Sequence, residues 1–190
     1  MSGWDISLFQ LIAAGYSYDP GLLSLSRFIV STGVWISTAV MAWIVWHFPR
    51  ERSFVIVTAI ACFVAAWLAH FIAASLNLQR PFALGLSPMY IPHSTRGSFP
   101  SAHATVMFTA ALLIMLRPPL RGAGAVLTFI AACMGWARIY AGIHFPMDIA
   151  AGLLFASMLS LAVHALWVLY RAEPPSVRRP RGNGPSQQRV

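Results

Sequence analysis

The stretch SFVIVTAIACFVAAWLAHFIAASLN (53–77) contains no acid, lysine or arginine, and it lies between Arg50-Glu51-Arg52 and Arg80-Pro81. As a helix it extends about 37 Å, which exceeds the roughly 30 Å hydrocarbon core of a bilayer. Four further apolar runs flank it, at about 27–48, 101–116, 123–141 and 146–170. Hydrophobic residues make up 58% of the 190, and charged residues only 9%, against about 25% in an average soluble domain. The expected fold class is all-α, a polytopic membrane helical bundle with five spanning helices. Residues 3–15 are apolar on one side but too short to cross, so they are expected to form a short N-terminal helix lying at the interface. Asp5 or Ser2 is a candidate cap for it, and Asp19-Pro20-Gly21 is expected to break the chain before the first span. The membrane domain is expected over 1–172, followed by a disordered basic cytoplasmic tail over 173–190.

The formal charge is +8, and all thirteen basic residues are arginine. Their placement in the sequence argues for lipid head groups and topology rather than nucleic acid. Nine (Arg50, Arg52, Arg117, Arg121, Arg171, Arg178, Arg179, Arg181, Arg189) fall on one side of the five-span plan, and Arg27, Arg80, Arg96 and Arg138 on the other. The positive-inside rule puts the nine, and the C-terminus, in the cytoplasm. Cys62 and Cys133 lie within apolar runs and read as small hydrophobes, with no disulfide or metal expected. Residues 1–20 lack a basic n-region, so no cleavable leader is expected.

Three short pieces then need a reason to exist at membrane depth: Arg80-Pro81, Ser98 to His103 (SFPSAH), and Arg138 to Asp148 (RIYAGIHFPMD). All three fall on the arginine-poor side. Ser101 follows Pro100 where a helix should start, and a helix N-terminus favours an anion. His144 and Asp148 are four apart, so on a helix they share a face. A carboxylate accepting one imidazole N–H leaves the other nitrogen as nucleophile or base, although a capping pair has the same spacing. Arg80 and Arg138 suit phosphate oxygens, but arginines at these positions also suit lipid head groups. Asp148 is the only acid between residues 52 and 172, too few to neutralise both arginines and Arg96. His70 and His164 sit inside apolar runs and read as satisfied core histidines; facing histidines that ligate haem are the alternative from another class.

Taken together, Arg80-Pro81, Pro100-Ser101-Ala102-His103 and Arg138-x5-His144-x3-Asp148 resemble the three-part signature of the type 2 phosphatidic acid phosphatase superfamily, which also holds vanadium haloperoxidases and bacterial acid phosphatases. The resemblance implies His144 as a nucleophile that becomes a phosphohistidine, Asp148 as its orienting carboxylate and His103 as the general acid. It further implies Arg80, Arg138, Ser101 and the backbone N–H near Ala102 as the phosphate cradle, with no metal and no cofactor. Three positions depart from the family's pattern. Ala73 stands where a lysine is common, Ala137 where a serine is common, and Ala102 where a glycine is common.

The opening ISLFQLI (6–12) and the loop PHSTRGSFPS (92–101) are similar to the bacterial undecaprenyl pyrophosphate phosphatases of the bacitracin-resistance type. That branch implies a multi-pass protein of the bacterial inner membrane. Its active site faces the periplasm, and its partner is a polyprenyl pyrophosphate held in the bilayer. His93 and Arg96 are then candidates for the second phosphate. Phosphatidic acid, phosphatidylglycerol phosphate and lipid A phosphate fit the same chemistry, and a binder or transporter without turnover is a further alternative.

Overall fold

The computed structural model describes residues 3–172, so the expected tail at 173–190 lies outside the described residues. Among the described residues there are six α-helices and no strand: α1 Gly3–Ile12, α2 Pro20–His47, α3 Arg52–Leu76, α4 Ala102–Met115, α5 Arg121–Tyr140 and α6 Pro146–Ala172. Four of them, α2, α3, α5 and α6, are long and apolar enough to cross a membrane. The run expected over 101–116 becomes α4, a helix of 14 residues that rises about 21 Å. It starts after Pro100 and stops before Pro118-Pro119. α4 is the hub of the bundle, packing against α3, α5 and α6, while α2 packs mainly on α5.

Parts of α3 and α6 bury small residues and expose large ones. On α3 the buried line is Ala61, Ala65, Ala69 and Ala73, at intervals of four, whereas Ile60, Phe63, Trp67 and Phe71 are exposed. On α6, Gly152, Ala156 and Ser160 are buried, and Leu154, Met158 and Leu161 face outward. This is the packing expected where the surrounding solvent is as apolar as leucine and close backbone approach supplies the attraction. Gly124 shows it most clearly: a Cβ there would meet the Met115 backbone at 2.6 Å, so α5 crosses the end of α4 only because this residue is glycine.

α2 begins at Pro20, earlier than the expected start at about 27. Asp19 does not merely break the chain. Its Oδ1 accepts the Leu22 N–H at 2.8 Å and caps a helix whose first residue is proline. Asp5 departs from expectation as well. It does not cap α1 but is buried, and its Oδ1 accepts the Met147 N–H at 3.2 Å in the first turn of α6. Phe9 of α1 packs on Phe145, with ring centroids 5.3 Å apart. α1 therefore braces the α5–α6 turn from beneath.

The ends of the bundle differ. At one end Glu51 accepts both Nε and Nη2 of Arg117 at 2.9 Å, with the guanidinium 5.0 Å over the Phe54 ring. The other end gathers α1, the 77–101 segment and the 141–145 turn. There Arg27 Nε donates to Tyr90 O at 3.2 Å, and Tyr90 Oη donates to Gly15 O at 2.6 Å, tying the long segment down.

Candidate functional site

Two backbone devices bring the three motifs together. The first is the α5–α6 turn. Ile143 and His144 N–H groups both converge on Arg138 O, at 3.0 and 3.3 Å, and Gly142 takes φ +74°. A side chain at Gly142 would be strained by that φ and would run into Ser87 Oγ. The turn thus places Arg138 and His144 side by side although six residues separate them. The second is the junction of α4 with α6. Ser101 N–H donates to Asp148 O at 3.1 Å, and a Cβ on Gly152 would stand 3.0 Å from Ala104 Cβ and 3.2 Å from Ser101 O. Glycine at 152 lets α6 approach the α4 N-terminus closely enough for that bond.

His144 is buried, and its Nδ1 lies 3.1 Å from Asp148 Oδ2. Its Nε2 lies 3.0 Å from Arg80 Nη1. The same Nη1 is 3.4 Å from Nδ1, so the guanidinium stands over the ring; the Asp148 carboxylate can only accept, which puts the ring proton on Nδ1. Burial, reinforced by Arg138 and Arg80, holds the His144 imidazole well below its usual pKa, so the ring is neutral with its lone pair on Nε2. Asp148 Oδ2 also accepts the Phe145 N–H at 2.9 Å and the Ser98 hydroxyl. Ser98 is fully buried and was not singled out among the site residues. The only signal it gave in the sequence was its place at the head of the SFPSAH run.

Arg80 and Arg138 are both buried. Arg80 Nη2 donates to Gly97 O at 2.8 Å and Nη1 to Ile143 O at 3.1 Å, which fixes the plane of the fork. Arg138 Nη2 lies 3.3 Å from His93 Nε2. The His93 ring centroid is 6.3 Å from that of His144. Burial and the two arginines push His93 down to about 4, so it is neutral as well. Ser101 heads α4 yet makes no capping bond with its side chain. Its buried Oγ, the Nε atoms of Arg80 and Arg138, and Asp148 Oδ1 all lack hydrogen-bond partners. Two buried guanidiniums, an unpaired hydroxyl and a helix N-terminus beside one carboxylate form a site short of negative charge, which suits an oxyanion.

Of the residues expected at the site, Arg80, Ser101, Arg138, His144, Asp148 and His93 are thus in one cluster. Ala102 and His103 open α4 beside it, with His103 exposed in a groove between α2, α3 and α4. Arg96 is not brought in. Its backbone bridges Gln79, and its side chain is exposed with no hydrogen bond among the described residues. The 77–101 segment uses Arg96 to hold its own backbone, while Gly97 O anchors Arg80. His70 is no satisfied core histidine, because it is exposed in the same groove as His103.

The family model of the PAP2 superfamily matches residues 53–172, which include all three motifs. The chain belongs to the PAP2 superfamily. It is similar to YbjG of Escherichia coli K12, with 32% identity over 86% of this chain and 82% of that one. It is also similar to an undecaprenyl-diphosphatase of Sulfolobus acidocaldarius, with 30% identity over 83% and 76% of the two chains. The fold matches the crystal structure of Aquifex aeolicus LpxE with a TM-score of 0.72, covering 86% of this chain and 96% of that one at 23% identity. The protein is therefore a membrane phosphatase of the PAP2 type.

Proposed function

We propose that this phosphatase cleaves the terminal phosphate from undecaprenyl pyrophosphate, leaving undecaprenyl phosphate, by a metal-independent route through a phosphohistidine at His144. The observation that carries the chemistry is the His144 ring, with Nδ1 tied to Asp148 and Nε2 at the edge of two buried arginines. The undecaprenyl-diphosphatase of Sulfolobus acidocaldarius supports the substrate. The buried Arg80 and Arg138 supply positive charge at the site.

In the proposed sequence, the terminal phosphoryl group enters the cradle of Arg80, Arg138, Ser101 Oγ and the N–H groups at Ala102. Its oxygens draw Arg80 Nη1 away from the ring. Nε2 then bonds to phosphorus as the bridging P–O bond breaks, and Asp148 stabilises the imidazolium that forms. His103, protonated once the anionic substrate is bound, gives its proton to the departing lipid phosphate oxygen. It next takes a proton from a water that attacks phosphorus, the N–P bond breaks, and inorganic phosphate leaves. The charge that grows on the equatorial oxygens meets donors already fixed by Gly97, Ile143 and the α5–α6 turn. Of the two second-phosphate candidates read from the sequence, His93 lies beside Arg138, and Arg96 does not.

α4 is proposed as the fifth crossing and α1 as interfacial. The site end then faces the outside of a bacterial cytoplasmic membrane, with Arg50, Arg52, Arg117, Arg121 and Arg171 inside. The test is phosphate release from undecaprenyl pyrophosphate in detergent, with EDTA present, comparing wild type with His144→Ala and using phosphatidic acid as competitor. Release lost in the variant is expected. A folded His144→Ala protein that keeps its activity overturns the nucleophile, and magnesium-dependent activity overturns the metal-independent route.

A further inference from the structure

The groove between α2, α3 and α4 has a volume of about 570 Å³. On α3 it follows Val55, Ala59, Cys62, Ala66 and His70, a single stripe that runs about 22 Å along the helix. Its head is Ala102 and His103, so it is continuous with the phosphate cradle. Almost all of its wall is apolar, which suits a hydrocarbon chain whose phosphate sits at the head. Ser37 and Thr38 also line it, but their hydroxyls donate to Gly33 O and Val34 O of their own helix. His70 is exposed in this groove, six residues before the end of α3, and makes no side-chain hydrogen bond among the described residues. An imidazole facing an apolar channel within a spanning helix carries a desolvation cost that nothing in the fold offsets.

We propose that His70 is a specificity-determining residue, donating a hydrogen bond to the phosphate that stays on the lipid when a pyrophosphate is cleaved. This rests on the reading of His144 as nucleophile and His103 as the acid beside the leaving oxygen. The leaving group lies opposite the attacking nitrogen in an in-line displacement. From His103 the groove continues along α3 past His70. When the leaving group is a lipid monophosphate, its charged oxygens come to the level of His70 and accept from the imidazole. When it is the alkoxide of a phosphomonoester, only carbon reaches that level and His70 has nothing to bind. His70 therefore favours a diphosphate over a monophosphate of the same chain, whereas Arg80, Arg138 and Ser101 hold the phosphoryl group common to both.

The experiment measures equilibrium binding of farnesyl diphosphate and farnesyl phosphate to detergent-solubilised protein carrying His144→Ala, which separates binding from turnover. Adding His70→Ala is expected to weaken the diphosphate by about tenfold, the scale of one hydrogen bond to a charged group, and the monophosphate by less than about twofold. His70→Gln, which keeps an N–H donor, is expected to restore most of the preference. Ala66→Phe, which fills the groove, is expected to weaken both ligands together. Equal losses for both ligands in His70→Ala would make His70 a packing residue, and no loss for either would remove it from the site; each overturns the proposal. Turnover of the two ligands by the protein with His144 intact is measured alongside. A preference that depends on His70 in binding without any turnover would sink the phosphatase reading and leave the specificity assignment standing.

Discussion

Asp148 Oδ2 accepts from His144 Nδ1, the Phe145 N–H and the Ser98 hydroxyl, three donors on one oxygen. The first two lie within four residues of it and were legible as an i, i+4 pair at the start of a helix. The third comes from fifty residues away, and no local rule names it. Its effect is to fix which oxygen faces the imidazole, and so the rotation of the ring that presents Nε2. Ser98→Ala leaves two N–H donors on the carboxylate and removes one hydrogen bond to a charged acceptor. The expected outcome is a kcat about tenfold lower, with KM nearly unchanged. Asp148→Asn is expected to cost far more, about a thousandfold or beyond, because an amide there allows the wrong tautomer. Steady-state kinetics of the two variants checks the order. A Ser98→Ala enzyme that changes KM alone would show that Ser98 acts on substrate rather than on Asp148. Ser101 taught the opposite lesson. The sequence offered it as a helix cap and, through the family resemblance, as part of the phosphate cradle; its Oγ caps nothing. An N-cap signal and a phosphate ligand look identical in sequence, and the unspent hydroxyl favours the proposed second role.

At the scale of elements, α4 is held at its two ends by glycines on its neighbours. Gly152 of α6 lies against Ser101 and Ala104 at the site end, and Gly124 of α5 lies against Met115 at the other. Each lets two backbones approach, but only the first sets the distance between Ser101 and Asp148. Gly152→Leu is therefore expected to lower both thermal stability and kcat. Gly124→Ala, whose Cβ would meet Met115 backbone atoms at 2.6 Å, should lower the midpoint of unfolding while the folded fraction keeps its kcat. Thermal denaturation in detergent and active-site-normalised rates distinguish the two, and equal loss of kcat would mean that α4 moves as a rigid rod. Element boundaries were legible wherever proline or arginine punctuates the sequence, and α3, α5 and α6 lie within two residues of their expected limits. The start of α2 was missed because Asp19-Pro20-Gly21 carries a break signal and a cap signal at once, and the Leu22 N–H decides between them. The role of α1 was missed for a related reason. Asp5 spends its carboxylate on Met147 of α6 rather than on its own helix. Burial raises its pKa above the ordinary 3.8, and the Met147 N–H partly offsets that rise.

Across the whole molecule, sequence patterning identified a membrane bundle but not its inside. Along the middle of α3, Ile60, Phe63, Trp67 and Phe71 are exposed while Ala61, Ala65, Ala69 and Ala73 are buried, so a rule that buries the most hydrophobic residues would turn that part of the helix the wrong way round. The sorting of arginines survives this inversion because it depends on ends rather than faces. Among the described residues, the Glu51–Arg117 end holds Arg50, Arg52, Arg117, Arg121 and Arg171, and the opposite end holds Arg27, Arg80, Arg96 and Arg138. Of those four, Arg80 and Arg138 are buried in the candidate site, and Arg27 is bonded to Tyr90 O, so they read as site and scaffold rather than as topogenic charge. The orientation signal is thus stronger than nine against four suggests, and it supports the proposed placement of the site outside. With Cys62 and Cys133 replaced by alanine, Tyr18→Cys, at an exposed position before α2, is expected to react in intact cells with a maleimide that cannot cross the membrane. Arg121→Cys, exposed at the start of α5, is expected to react only after the cells are permeabilised. The reverse pattern would put His144 and the arginine cradle in the cytoplasm. The substrate's phosphate would then have to be presented on the inner leaflet.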